Sequence, residues 1–145
     1  MRLEQYQVKA YENMLEFEFI SEGPKGRITK LVQYLKIDEN VYNLAFGDKK
    51  EGENDIDDKI ITDNKDSQKV LATVAATVLA FTEKYSQAWI IASGSTQSRT
   101  RLYQIGISTN YEELQQYFNV YGYYKQRWVK FQKNVIYDAF AVKRK

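Results

Sequence analysis

The chain contains no cysteine, no histidine and a single proline. Without cysteine, neither a disulfide framework nor thiolate metal ligation is available, and a reducing, cytoplasmic setting is the expectation. Without histidine, the commonest general base, the usual catalytic triads and the commonest zinc ligand are excluded together. Any catalysis would rest on carboxylates, Lys, Tyr, Ser or Arg. An excess of one charge sign is also lacking: 21 Lys and Arg against 19 Asp and Glu leave a formal net charge of +2. Charge alone therefore announces no nucleic-acid surface. The uncharged, largely apolar run Val70 to Thr82 covers about 13 residues, where a membrane-spanning helix needs roughly 20. No membrane span is expected. Met1 to Lys9 mixes Arg2, Glu4 and Lys9 among its apolar residues, unlike the hydrophobic core of a secretory signal.

What is present fits one globular unit. The 145 residues are 43% hydrophobic and 14% aromatic, with twelve tyrosines, and a chain of this length buries roughly two thirds of its unfolded surface around one core. Residues 1–145 are read as a single α+β domain. Leu15, Phe17 and Phe19 alternate with Glu16 and Glu18, the period of a strand with one wet face. The turn chemistry of Glu22-Gly23-Pro24-Lys25-Gly26 leads into Ile28 to Ile37, so a hairpin is expected, with Val41 to Phe46 as the next strand and Tyr6 to Ala10 as an edge. Residues 48 to 66 are rich in Asp and Glu and read as an exposed loop with a short strand at Lys59 to Thr62.

Asp66 then caps a helix. From Val70 to Phe81 the helix is apolar nearly all round, with Thr73 and Thr77 as a mildly polar strip, so it should be covered on most sides. Ala88 to Ala92 reads as a short buried strand. Two shorter helices follow: one from Ser95 through Tyr103, broken at Gly106, and one from Tyr111 to Phe118, capped by Thr109 or Asn110. Tyr121 to Tyr124 and Val135 to Val142 are the last strands, around Trp128-Val129-Phe131. The expected architecture is a mainly antiparallel sheet packed against one long apolar helix, with two shorter helices.

The candidate site is Gly94-Ser95-Thr96-Gln97-Ser98-Arg99-Thr100-Arg101, at the strand-to-helix turn. Unpaired N–H groups and the positive end of the macrodipole make such a turn able to hold phosphate or carboxylate. Ser95, Arg99 and Tyr103 follow at i, i+4 and i+8 on one helix face, whereas Arg101 lies about 200° from Arg99. The expected anion-binding set is Gly94, Ser95, Thr96, Arg99 and Tyr103, with Arg101 in a structural ion pair with a carboxylate. Capping alone would account for Ser95, and ion pairs for both arginines. There is no Walker or Rossmann fingerprint, and no cofactor is expected.

Two further features compete. From Tyr117 to Lys133, Phe118, Tyr121, Tyr123, Tyr124, Trp128 and Phe131 interleave with Lys125, Arg127, Lys130 and Lys133, a pattern that suits single-stranded nucleic acid by stacking and phosphate contact. Core-filling strands with solvated lysines give the same pattern. In the acidic loop, Asp55, Asp57 and Asp58 are oxygen donors for a divalent cation, but the EF-hand spacing is absent and a solvated loop is the better reading, so no metal site is expected. Glu16 and Glu18, on one strand face, pair two carboxylates as acid–base chemistry requires, and an exposed strand explains them equally well.

Gly23-Pro24-Lys25-Gly26, Tyr42-Asn43-Leu44-Ala45-Phe46-Gly47-Asp48, Val70-Leu71-Ala72-Thr73-Val74, and Gly94-Ser95-Thr96 with Arg99-Thr100-Arg101-Leu102-Tyr103 resemble a family of uncharacterised bacterial proteins of about this length, a domain of unknown function, over nearly the whole chain. The resemblance implies a compact bacterial α+β domain and no mechanism. Three functions stay open: a module binding the phosphate of a nucleotide or nucleic acid, an enzyme on phosphorylated or nucleic-acid substrates with Arg99 as electrostatic stabiliser and a carboxylate or Tyr103 as acid–base group, and a non-catalytic protein-interaction domain.

Overall fold

The computed structural model describes residues 4–57 and 62–145. The strands are β1 (Lys9–Ala10), β2 (Glu16–Gly23), β3 (Gly26–Asp38), β4 (Val41–Asp48), β5 (Trp89–Ala92), β6 (Phe118–Tyr124), β7 (Arg127–Lys130) and β8 (Ala139–Arg144). They form one eight-stranded sheet in the order β1-β2-β3-β4-β5-β8-β6-β7. Among the described strands only β4 and β5 run parallel, with Val41 beside Trp89 and Leu44 beside Ala92. That pair is joined by helix α1 (Ser67–Lys84), and β5 feeds α2 (Gln97–Thr109) and α3 (Tyr111–Tyr117). The fold is α+β, mostly antiparallel, with one βαβ unit at its centre. The expected strand at Lys59 to Thr62 falls almost wholly outside the described residues.

Strand alternation decides which residues meet the helices. Phe17 and Phe19 of β2, Val32 and Tyr34 of β3, Tyr42, Leu44 and Phe46 of β4, Ile90 and Ala92 of β5, and Phe140 and Val142 of β8 share one side and join the core cluster with Val70, Leu71, Val74 and Val78 of α1. Tyr34 stacks on Phe81 with ring centroids 4.1 Å apart, a pairing worth about 0.5 to 1.5 kcal/mol beyond its burial. Leu114 of α3 joins the same cluster, so all three helices cover this one side.

Helix α1 differs from the all-round apolar cylinder that was expected. Ala76, Leu79 and Ala80 are half-buried and both ends are exposed, while Thr73 and Thr77, the expected polar strip, are fully buried, as is Thr82. Each buried hydroxyl donates back to the helix, Thr73 to the Lys69 carbonyl, Thr77 to that of Val74 and Thr82 to that of Val78, which removes the penalty of an unpaired donor. Thr77 also shares a 2.8 Å hydrogen bond with the Tyr34 hydroxyl. Asp66 stands at the N-cap position but makes no side-chain cap bond. Its Oδ2 accepts instead from Tyr6 and Ser21.

Three other boundaries shift. Helix α2 is not broken at Gly106. It runs on to Thr109, and Gly106 is where α1 crosses, since a Cβ there would sit 3.3 Å from Leu71 Cδ2. Asn110 stands at the N-cap position of α3 but makes no side-chain cap bond there, its amide donating to the Gly106 carbonyl at the end of α2. β8 begins at Ala139 rather than Val135, because Tyr137 is buried against Phe131 and Phe140. β5 is buried on one side only: Trp89 and Ile91 remain half-exposed on the face that carries no helix.

Candidate functional site

In a βαβ unit, the C-terminal ends of the parallel strands and the N-termini of the helices that follow them meet at one edge. Here that edge joins Phe46 at the end of β4, Ser67 at the start of α1, and Thr96, Ser98 and Arg99 at the start of α2. They line one cleft of about 500 Å³, together with Lys30, Thr62, Asp63 and Asp66 and the apolar side chains Val70, Leu71 and Leu102. A cleft of this size suits a small ligand.

The turn into α2 is tightly built. A Cβ on Gly94 would come within 2.4 Å of Arg99 Cβ and 2.5 Å of the Thr100 nitrogen, so glycine is required by close approach. Thr96, not Ser95, is the N-cap: its backbone is extended and its hydroxyl accepts from the Arg99 N–H at 3.2 Å. Thr100 clamps the turn, accepting from the Gly94 N–H at 3.1 Å and donating to the Thr96 carbonyl at 3.2 Å. Ser95 and Ser98 are left exposed.

The five expected anion-binding residues divide between two clefts, and Arg99 lines both. Thr96 faces the larger one. Gly94, Ser95 and Tyr103 border a second, of about 420 Å³, with Gln33, Asn43 and Asp55. Tyr103 is buried, and its hydroxyl donates to the Leu44 carbonyl at 3.2 Å. Burial pushes that hydroxyl up to about 12, so it stands neutral in the cleft wall. The Arg99 guanidinium donates to the Asp57 carbonyl at 3.3 Å, tying α2 to the acidic segment. Among the described residues Arg101 is held by neutral oxygens: it donates to Gln104 Oε1 at 2.7 Å and to the Tyr137 carbonyl at 2.9 Å. The expected ion pair is thus a pair of hydrogen bonds to neutral oxygens, because the segment before β8 presents a carbonyl there.

Lys30 was missed by sequence reasoning. It is 2% exposed and inward-facing on β3, where it pairs with Asp48 and donates to the Thr62 carbonyl at 2.9 Å. Asp48 in turn accepts from the Thr62 N–H and hydroxyl. Its signal was register: Ile28, Val32 and Tyr34 occupy the neighbouring inward positions, and a charge in that series has to be partnered. Asn64, also buried, donates to Ser21 and to the Gly26 carbonyl and accepts from the Lys25 N–H, so the Gly-Pro-Lys-Gly turn is a seat for Asn64.

The other candidates are scattered. Glu16 accepts from Asn54, and Glu18 from Tyr11 and from Lys49 at 3.0 Å. Burial alone would raise the Glu18 carboxyl, but the Lys49 ammonium and the Tyr11 hydroxyl hold it below the usual carboxylate value. These carboxylates fasten the 49–57 segment. Asp58 lies outside the described residues, and among the described residues no group of three or more acidic side chains is arranged to hold a metal. No described helix is long and apolar enough to cross a membrane.

Residues 2–145 match the family of unknown function DUF6934, and the chain belongs to that family. No curated protein and no solved structure matches it.

Proposed function

We propose that this member of a family of unknown function is a binding module for a small phosphorylated ligand of nucleotide size, seated at the C-terminal ends of β4 and β5. The observation that carries this reading is the convergence of two helix N-termini, those of α1 and α2, with Arg99 around one cleft. Each helix start favours negative charge by its unpaired N–H groups and macrodipole, and a guanidinium adds a forked donor suited to phosphate. Val70, Leu71, Phe46 and Leu102 give the cleft an apolar wall, which suits the body of a ligand whose phosphate lies at Arg99. Asp63 and Asp66, which line the cleft beside the start of α1, suit the hydroxyls or amines of that body and oppose a bare polyanion. Ser98 and the Thr96 turn add donors.

The test is a thermal-shift panel of inorganic phosphate, nucleoside monophosphates and the matching nucleosides, on the wild type, Arg99→Ala and Arg99→Lys. A ligand present at a hundred times its dissociation constant stabilises the protein by about 2.7 kcal/mol. The expected outcome is a shift for phosphorylated ligands that weakens with salt, is lost in Arg99→Ala and is partly kept in Arg99→Lys. Arg99→Ala also loses the tether to Asp57, so its unliganded Tm falls, and the comparison rests on the ligand-induced shift. No shift with any phosphorylated ligand, or an equal shift in Arg99→Ala, would overturn the reading.

A further inference from the structure

The sheet has a second face with no helix on it. At one end the 49–57 segment covers it: Lys49 bonds to Glu18, Asn54 to Glu16, and Ile56, buried, would touch a Cβ built on Gly47 at 2.8 Å. From β5 through β8 and β6 to β7 no described helix covers this face, and its larger side chains are half-buried or exposed. Its outward positions follow from the register: Trp89 and Ile91 on β5, Ala141 and Lys143 on β8, Tyr121 and Tyr123 on β6, Trp128 and Lys130 on β7.

Two aromatic pairs span these strands. Trp89 meets Tyr121 with centroids 5.7 Å apart, across β8 where the small Ala141 leaves room, and Tyr123 meets Trp128 at 5.0 Å. Cross-strand aromatic pairing stabilises a hairpin, yet it leaves Trp128 45% exposed, far more than a residue kept only for packing requires. Tyr121 and Tyr123, two residues apart on one strand, set the pairs about 7 Å apart. The outward positions of these four strands include Lys130 and Lys143 and no carboxylate. Lys125 and Arg127 stand exposed at the β6–β7 turn beside Trp128.

We infer that this face binds single-stranded nucleic acid, bases stacking on Trp128, Tyr123 and the Trp89–Tyr121 pair while Lys130 and Lys143 take phosphates. Exposed π-faces on neighbouring strands accept any base, and lysines between them track a phosphate backbone. A second copy of this chain fits less well, because a two-fold pairing of this face brings the same patch against itself, lysines included, with no carboxylate to meet them. The inference goes beyond the cleft at Arg99 and does not depend on it.

The experiment is fluorescence anisotropy of labelled oligo(U) and oligo(dT) of about 12 nucleotides, titrated with the whole chain at about 50 mM salt, with tryptophan emission read in parallel and light scattering for the mass in solution. Binding with quenching is expected. The double variant Tyr123→Ala/Trp128→Ala should weaken it at least about tenfold, Trp128→Phe should retain most of it, and Lys130→Gln/Lys143→Gln should flatten the salt dependence. Failure of the wild type to bind either oligonucleotide overturns the inference, as does equal binding by folded Tyr123→Ala/Trp128→Ala. A wild-type dimer that Trp128→Ala dissociates, with no oligonucleotide bound, would assign the face to a second copy.

Discussion

The two faces of the sheet use the same residue types to opposite ends. On the helix-covered face, Phe17, Tyr34, Phe81, Phe118, Tyr137 and Phe140 are 2% exposed or less, and every buried side-chain nitrogen or oxygen among the described residues has a partner. On the bare face, Trp89, Tyr121, Tyr123 and Trp128 remain partly or largely in water. Aromatic content alone therefore says nothing about role. What separates core from surface is parity along the strand and where the helices lie, and those follow from the βαβ crossover between β4 and β5.

The comparison can be broken most severely at Lys30. Removing one partner of a buried ion pair leaves an uncompensated charge and costs about 3 to 5 kcal/mol, so Lys30→Met should lose that much in urea denaturation. Lys30→Met/Asp48→Leu should recover part of it, but not all, since Thr62 then loses the acceptor of its N–H and hydroxyl. A loss below about 1 kcal/mol for Lys30→Met would mean that the pair is solvated. Less severe, Val74→Ala on the covered face should cost about 1 to 3 kcal/mol. Trp128→Ala on the bare face should cost less than Val74→Ala, about 1 kcal/mol, the scale of a single cross-strand pair. Equal losses would show that the bare face is packed in solution, and the contrast between the faces would fall.

Much of the fold was legible because its signals are local. The alternation of Phe17 and Phe19 with Glu16 and Glu18, the Gly-Pro-Lys-Gly turn and the apolar run from Val70 each announce an element and its inner side. What stayed illegible depends on partners distant in sequence. Thr73 and Thr77 read as a polar strip because their back-bonds to the helix carbonyls are invisible in a residue pattern. Arg101 seemed to need a carboxylate because nothing in the sequence announces that the Tyr137 carbonyl arrives beside it. The candidate cleft was half legible: Thr96 and Arg99 stand at the turn into α2 that the residue pattern marks, whereas Ser67 and Lys30 line the same cleft only through the crossover. The aromatic run from Tyr117 to Lys133 had to be sorted by register, which sends Phe118 and Phe131 inward and Tyr121, Tyr123 and Trp128 outward.

The most direct measurement of the central claim is a titration of the ¹⁵N-labelled protein with a nucleoside monophosphate, followed by amide and indole shifts. Phosphate seated between the two helix starts should move the N–H signals of Ser67, Gln97, Ser98 and Arg99 together, saturably and with one affinity, while the Trp128 indole stays in place. Signals that stay fixed at those four residues, or that move only at Trp128, Lys130 and Lys143, would contradict the cleft as the anion site.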